Sequence, residues 1–486
     1  MNLDQFQTPL ADRLRKSAQS DNVPFHTPGH HKGQGIHPEL KTWWGEAIFQ
    51  ADLPELPELD NLFAPNGVIA EAETLAADCW GSDRTFFLTN GSTAGVIASI
   101  LAVCNPGDSV LVPRNIHRSV ISGLILSGAN PVFMMPEYDE RLGIAHGVKV
   151  ETIANHLVSN PKIKAVLIVN PTYYGVCSDV IKVVNLTHHY NLPLIVDEAH
   201  GAHFQFHPAL PTAALTAGAD IVIQSTHKTL SALTQASMLH IKGDRVSADR
   251  LAKSLHLVQS TSPSYLLLAS LDIARMQMAT QGKLLLGQAI DRVQRVRSGI
   301  NKIPNITTLE FTKSSGFHEL DPLRLTVLIS GMNGFTADEL LHEELGITCE
   351  LPGLQSLTFI ATHGTTDLNC DRLLMGLQQL SDRIVKPCNN AVNHEAKHEI
   401  FTDIPTRVLS PRDAFFAASK LVTVKDAIGL ISADLICPYP PGIPIIMPGE
   451  QITETAIAYL QQILTAGGML TGCADSDLQT MRVIDN

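Results

Sequence analysis

Residues able to do chemistry recur just past short apolar runs. Ser225-Thr226-His227-Lys228 follows ADIVIQ, and Asp197-Glu198-Ala199-His200 follows PLIV. Asn90-Gly91-Ser92-Thr93-Ala94-Gly95 follows FFLT, while Asn115 and His117 follow SVLVP. Pro171-Thr172-Tyr173-Tyr174-Gly175 follows AVLIVN. A lysine amine can condense with a carbonyl carbon. A carboxylate can keep a ring nitrogen protonated, and a flat imidazole can cover a ring face. A turn of small residues at a helix N-terminus offers amides and hydroxyls to a phosphate. Taken singly, each has a bland explanation: a helix cap, a tight turn, a solvated charge. Taken together, they are what pyridoxal 5'-phosphate requires of a protein.

Something must bring these residues to one place. The runs FFLT (86–89), SVLVP (109–113), PVFMM (131–135), AVLIVN (165–170), PLIVDE (193–198) and ADIVIQS (219–225) show little polar alternation. Strands buried on both faces read this way. Helical patterns lie between most of them, including Thr93–Cys104 and Ser119–Ser127. Strand–helix repetition predicts an α/β fold with a mostly parallel sheet, whose ligand sits beyond the carboxyl ends of the strands. Ala269–Gly299 reads as a long helix or a helix pair. Further strands are expected at Leu323–Ser330 and Leu357–Ala361. Thr336-Ala337-Asp338-Glu339 reads as a capping box, and Asp367 as the cap of another helix. Ser410, Pro411 and Asp413 mark a helix start after a polar linker at 386–399.

The chain resembles the fold-type-I pyridoxal-phosphate decarboxylases of ornithine, lysine and arginine, in the short form without an N-terminal wing domain. The matching stretches are HTPGHHKG (26–33), NGST (90–93), RNIHRS (114–119), NPTYYG (170–175), VDEAH (196–200), QSTHKTL (224–230), STSPSY (260–265) and YPPGIPIIMPGE (439–450). The resemblance implies a large transferase-like domain with a mostly parallel sheet, a small α/β domain and a C-terminal α+β domain. The expected divisions are an arm at 1–65, the large domain at 66–300, the small domain at 301–386 and the C-terminal domain at 400–486. It implies Lys228 as the Schiff-base lysine, Asp197 as partner of the pyridinium nitrogen and His117 as the stacked ring. Ser92, Thr93, Ser225 and His227 would bind the phosphate or lie beside it. His200 would lie by the cofactor, where some relatives carry tryptophan. His227 or Lys228 would return a proton to the α-carbon. Ser260, Thr261 and Ser262 would reach the site of a neighbouring subunit in a homodimer or larger homo-oligomer. Glu450 is a candidate anion for the cationic end of a basic amino acid, arginine before lysine or ornithine, in polyamine biosynthesis.

Rival readings exist. An aminotransferase would use the same lysine and aspartate, with an arginine clamp such as Arg324. His394-Glu395-Ala396-Lys397-His398 matches the HExxH zinc-hydrolase pattern, but it sits in a polar stretch without an apolar face, which favours a solvated helix. A homologue that binds without catalysing is disfavoured because Lys228 is present. The histidines 200, 203 and 207 read as cofactor contact and packing before metal, while 26, 30 and 31 belong to a turn fixed by glycine and proline, either structural or a substrate contact.

Composition narrows the partners. The 486 residues are 44% hydrophobic and 17% charged, enough for a large core. A net charge of -13 without Lys/Arg clusters argues against nucleic acid or an anionic membrane as partner. The eight cysteines form no CxxC pair and read as reduced core thiols of a cytoplasmic protein. No signal peptide or membrane-spanning run is apparent.

Overall fold

The computed structural model describes residues 3–139, 142–311, 316–384, 404–439 and 442–485. The HExxH stretch at 394–398 and the whole expected linker at 386–399 lie outside the described residues. Six expected apolar runs form strands, and a further strand joins them. These are β1 (Arg84–Leu88), β2 (Ser109–Pro113), β3 (Asn130–Met134), β4 (Ile163–Val169), β5 (Leu194–Asp197), β6 (Ile221–Gln224) and β7 (Ser237–Ile241). The added strand is β7, whose apolar run is interrupted by His240, although all its residues are buried.

The helices that position the site, or that test the expected caps, are α1 (Val68–Trp80), α2 (Gly91–Val103), α3 (Arg118–Ser127), α4 (Ala214–Ala217), α5 (Thr226–Thr229), α6 (Tyr265–Ile300), α7 (Gly334–Glu343) and α8 (Asp367–Arg383). The segment 269–299 thus belongs to one continuous helix of 36 residues.

Two compact units are present: residues 1–102 with 195–284, and residues 103–194 with 285–486. In the first, the strand order is β1-β7-β6-β5. β5 and β6 are parallel, with Asp197 opposite Ile223. β7 runs antiparallel to both β6 and β1. Every residue of β5, β6 and β7 is buried, in keeping with their mainly apolar sequence. Gly91 opens α2 at φ +71°, a conformation that side chains disfavour. One turn later Gly95 lets the helix approach the sheet. A Cβ there would lie 2.8 Å from Leu88 Cδ1 and 2.9 Å from Ile223 Cγ2.

In the second unit, β4, β2 and β3 pair in parallel in that order. A separate antiparallel sheet holds β8 (Ile306–Thr308), β9 (Arg324–Ile329), β10 (Leu351–Pro352) and β11 (Ser356–Ile360), in the order β8-β9-β11-β10. Two expected caps are displaced by one to three residues. α7 is capped by Asn333, whose side chain accepts from the Thr336 amide, so Thr336 lies inside the first turn. α8 is capped by Thr366 in a box with Asn369. Asp367 instead pairs with Arg292 and Arg295. Local pattern identifies a helix start, but several adjacent polar residues compete for the capping position. The Ser410 cap is found as expected, accepting from the Asp413 amide at 3.0 Å.

Substituting Gly95→Val forces α2 away from β1 and β6. Overpacking of this kind costs about 1–3 kcal/mol. The thermal unfolding midpoint of the variant should fall accordingly. An unchanged midpoint would show that the close approach is not needed.

Candidate active site

Strand direction gathers the site within the first unit. β5 and β6 are parallel, and β1 runs the same way as β6 because β7 opposes both. The carboxyl ends of all three therefore share one edge, where an open α/β sheet binds its ligand. Asp197 closes β5. Ser225 follows β6 directly, and Thr226–Thr229 continue as α5. Asn90 to Thr93 join β1 to α2.

The amine of Lys228 lies 3.1 Å from His200 Nε2. Lys228 is half-buried and His200 is buried. Asp197 is buried and accepts from the Ala199 amide at 3.2 Å. Burial pushes its carboxyl above the usual range, while the Lys228 charge and the Ala199 amide pull the other way. Ser92 Oγ and Ser225 Oγ are 2.7 Å apart. Thr93 is exposed on the first turn of α2. The amides of that turn lack helical acceptors and can serve an anion.

His227 is anchored by its own chain. Nδ1 lies 2.9 Å from the Ala236 carbonyl, which can only accept, so Nδ1 carries the proton. Burial lowers the imidazole's basicity, and the Lys228 charge adds to that; the Ala236 hydrogen bond opposes both. At neutral pH the ring is neutral, with Nε2 as its proton-accepting atom.

The Ser260 amide donates to Asn90 Oδ1 at 3.1 Å, and the Thr89 amide donates to Gln259 Oε1 at 3.1 Å. Ser260 and its exposed neighbour Thr261 thus follow a residue that braces the phosphate-type turn of their own chain. Sequence reasoning did not single out Gln259 or the bracing role of Asn90. The 170-residue separation leaves no local signal for either contact.

Two expected residues belong to the second unit. His117 precedes α3 and caps it, with Nδ1 accepting from the Ser119 amide at 3.2 Å. Glu450 requires a correction. It is buried and bound by Arg114, with Nη1–Oε1 at 2.5 Å and Nη2–Oε2 at 2.9 Å, and Oε2 also accepts from the Met447 amide at 3.1 Å. Its charge is matched inside the protein instead of being held open for a substrate cation. The acid follows the Pro448-Gly449 turn and is enclosed there by the Arg114 guanidinium.

His30 Nε2 lies 3.1 Å from Asp52, and its ring meets Phe49 edge-on. Among the described residues, no group of three or more His, Cys, Asp or Glu side chains is arranged to hold a metal ion.

Removing the hydroxyl of Ser92 or of Ser225 should weaken binding of a phosphorylated ligand by about 0.5–1.5 kcal/mol each. The double Ser→Ala variant should lose less than the sum, because the two hydroxyls bond to each other. Equilibrium dialysis with pyridoxal phosphate checks this; strict additivity would contradict a shared pair.

The chain matches the family model described as Orn/Lys/Arg decarboxylase, major domain, over residues 8–366, and that of the C-terminal domain over residues 394–480. It is 39% identical over 486 residues to an arginine decarboxylase of Bacillus subtilis, covering 99% of both chains. It is 26% identical to lysine decarboxylase LdcA of Pseudomonas aeruginosa, covering 94% of this chain and 75% of that one. Among solved structures, the lysine decarboxylase LdcF of Francisella novicida superposes with a TM-score of 0.85 at 25% identity, covering 99% of this chain and 81% of that one.

Proposed function

The chain belongs to the Orn/Lys/Arg decarboxylase family, and from that premise we propose that it converts L-arginine to agmatine with pyridoxal 5'-phosphate, in a polyamine-forming role. The observation that carries the reading is the meeting of Lys228, His200, Asp197 and the Ser92–Ser225 pair at one sheet edge. Arginine is favoured over lysine and ornithine because relatives named arginine decarboxylase share 39% identity across nearly the whole chain.

The donor set fits the coenzyme. Ser92, Ser225 and the first amides of α2 would hold the phosphate. The buried Asp197 carboxyl would pair with the ring nitrogen, and the Lys228 amine would hold the aldehyde carbon. His117 is the proposed stacked ring. When bound, pyridoxal phosphate supplies a cationic conjugated ring that accepts the electron pair left when carbon dioxide departs.

The protein's own groups then have distinct tasks. Asp197, beside the positive Lys228, keeps a proton at the ring nitrogen. His200 Nε2 holds the Lys228 amine at a fixed place when it is not bonded to ligand. Lys228, as its ammonium, carries the proton delivered to the α-carbon, or His227 does so after its bare Nε2 has first taken one up. Arg324, the arginine weighed for a transaminase clamp, is buried in β9 with Asp321 and Glu350 as nearby charges. We place the enzyme in the cytoplasm as a homodimer or larger homo-oligomer.

Lys228→Ala should abolish carbon dioxide release and the visible absorbance of the reconstituted protein. Near-normal turnover would defeat the assignment. Asp197→Ala should cost about 3–4 kcal/mol in kcat, the scale of a lost oxyanion-hole donor. Steady-state kinetics on the reconstituted variant checks it.

A panel of arginine, lysine and ornithine, read by product chromatography, should show the highest kcat/KM for arginine with agmatine as product. Keto-acid formation would instead indicate transamination.

A further inference from the structure

A line of buried polar groups runs through the first unit from the residue after Asp197. Glu198 is fully buried, with Oε1 accepting from the Ala214 amide at 2.8 Å and Oε2 from Gln224 Nε2 at 2.7 Å. Gln224 Oε1 lies 3.2 Å from His240 Nε2. His240 Nδ1 lies 2.8 Å from Thr85 Oγ1, which lies 3.1 Å from Ser82 Oγ. Glu198, Gln224, His240 and Thr85 are all nearly or fully inaccessible, and Ser82 is half-buried. The indole of Trp80 stacks on His240, with centroids 5.4 Å apart.

The polarity of this chain follows from what each group can donate. Next to an ionised Glu198, Gln224 must present its NH2. Its carbonyl then needs a proton from His240 Nε2, so Nδ1 is bare and accepts from Thr85, which accepts from Ser82. Next to a protonated Glu198, every bond reverses: the acid donates to the Gln224 carbonyl, the Gln224 NH2 donates to His240 Nε2, and His240 Nδ1–H donates to Thr85. Thr85 then donates to Ser82. Both arrangements satisfy every member. An arrangement reversed at only one link would leave two donors or two acceptors facing each other, which is costly when buried.

We propose that Glu198, Gln224, His240, Thr85 and Ser82 form a hydrogen-bond chain with two polarities, and that Glu198 is a positioning residue through which this chain fixes the strand ends carrying Asp197 and Ser225. Glu198 follows Asp197 directly, and Gln224 precedes Ser225 directly. The Glu198–Gln224 bond therefore ties the ends of β5 and β6 at the side-chain level, beneath the two groups assigned to ring nitrogen and phosphate.

The change of polarity takes up one proton at Glu198 and moves the imidazole proton from Nε2 to Nδ1 by exchange; the Gln224 amide turns over, and no other bond is made or broken. Burial raises the Glu198 pKa to about 8, opposed by its two hydrogen bonds, and lowers that of His240 to about 3, so the imidazole is neutral in both arrangements. Titratable and charged groups on the surrounding elements are Asp197, His200 and His203 at and after the end of β5, Asp220 before β6, His227 and Lys228 on α5, Lys242 after β7, Asp83 before β1 and Arg84 on it, and Glu71, Glu73, Asp78 and Cys79 on α1.

The test uses full-length protein with 15N-labelled histidine, the His240 signal being assigned by its loss in His240→Gln. In the parent protein, the His240 tautomer should change from Nδ1–H to Nε2–H as pH rises through about 8. Glu198→Gln presents an amide NH2 where the protonated acid has its hydroxyl, so it should hold the Nδ1–H form at every pH. A single tautomer common to both proteins at all pH values would overturn the two-polarity chain.

A second arm rests on the coenzyme reading. Dialysis should show pyridoxal phosphate affinity within about threefold of the parent for Glu198→Gln, but at least about tenfold weaker for Glu198→Ala, which leaves two buried donors unpaired. Equal affinities for parent, Glu198→Gln and Glu198→Ala would overturn the positioning role. Failure of the parent to bind coenzyme would count against the proposed function and leave the tautomer result standing.

Discussion

The pairing of β5 with β6 in parallel is the constraint on which the site depends. Only parallel neighbours place their carboxyl ends side by side. That pairing sets a buried acid, Asp197, beside the short helix that carries Lys228. Burial raises the pKa of Asp197, and the nearby ammonium and the Ala199 amide oppose this. The acid and the amine are thus held in mutual tension by the sheet.

The remaining features of the first unit keep that edge in register. Gly95 lets α2 lie close over β1 and β6, which brings the Asn90–Thr93 turn and its free amides to the same edge. Gln259 and the Ser260 amide hold the turn from a distant part of the chain. His200 holds the amine of Lys228, and the Glu198–Gln224 bond ties the two parallel strands just behind it. Each contact acts on a backbone segment that carries a residue proposed for the chemistry, without having to touch a ligand itself.

Much of this was legible in the sequence because it is local. The apolar runs of β1 to β6 lack polar alternation and end in residues of a distinct type, so both the strands and the site edge follow from pattern. Asp197, Ser225, His227 and Lys228 are identified by their place after a strand and by their family resemblance. What escaped was long-range. β7 was hidden by His240, a polar residue whose partners come from β1 and β6. Glu450 was misread because nothing near it announces Arg114, 336 residues away. The caps of α7 and α8 shifted because Asn333 and Thr366 compete with equally polar neighbours.

The most direct test of the central claim is chemical trapping. The purified protein is loaded with pyridoxal phosphate, reduced with borohydride, digested and mapped by mass spectrometry. A phosphopyridoxyl group on Lys228 alone is the predicted result. A protein that yields no adduct, or one carried chiefly by another lysine, would contradict the account.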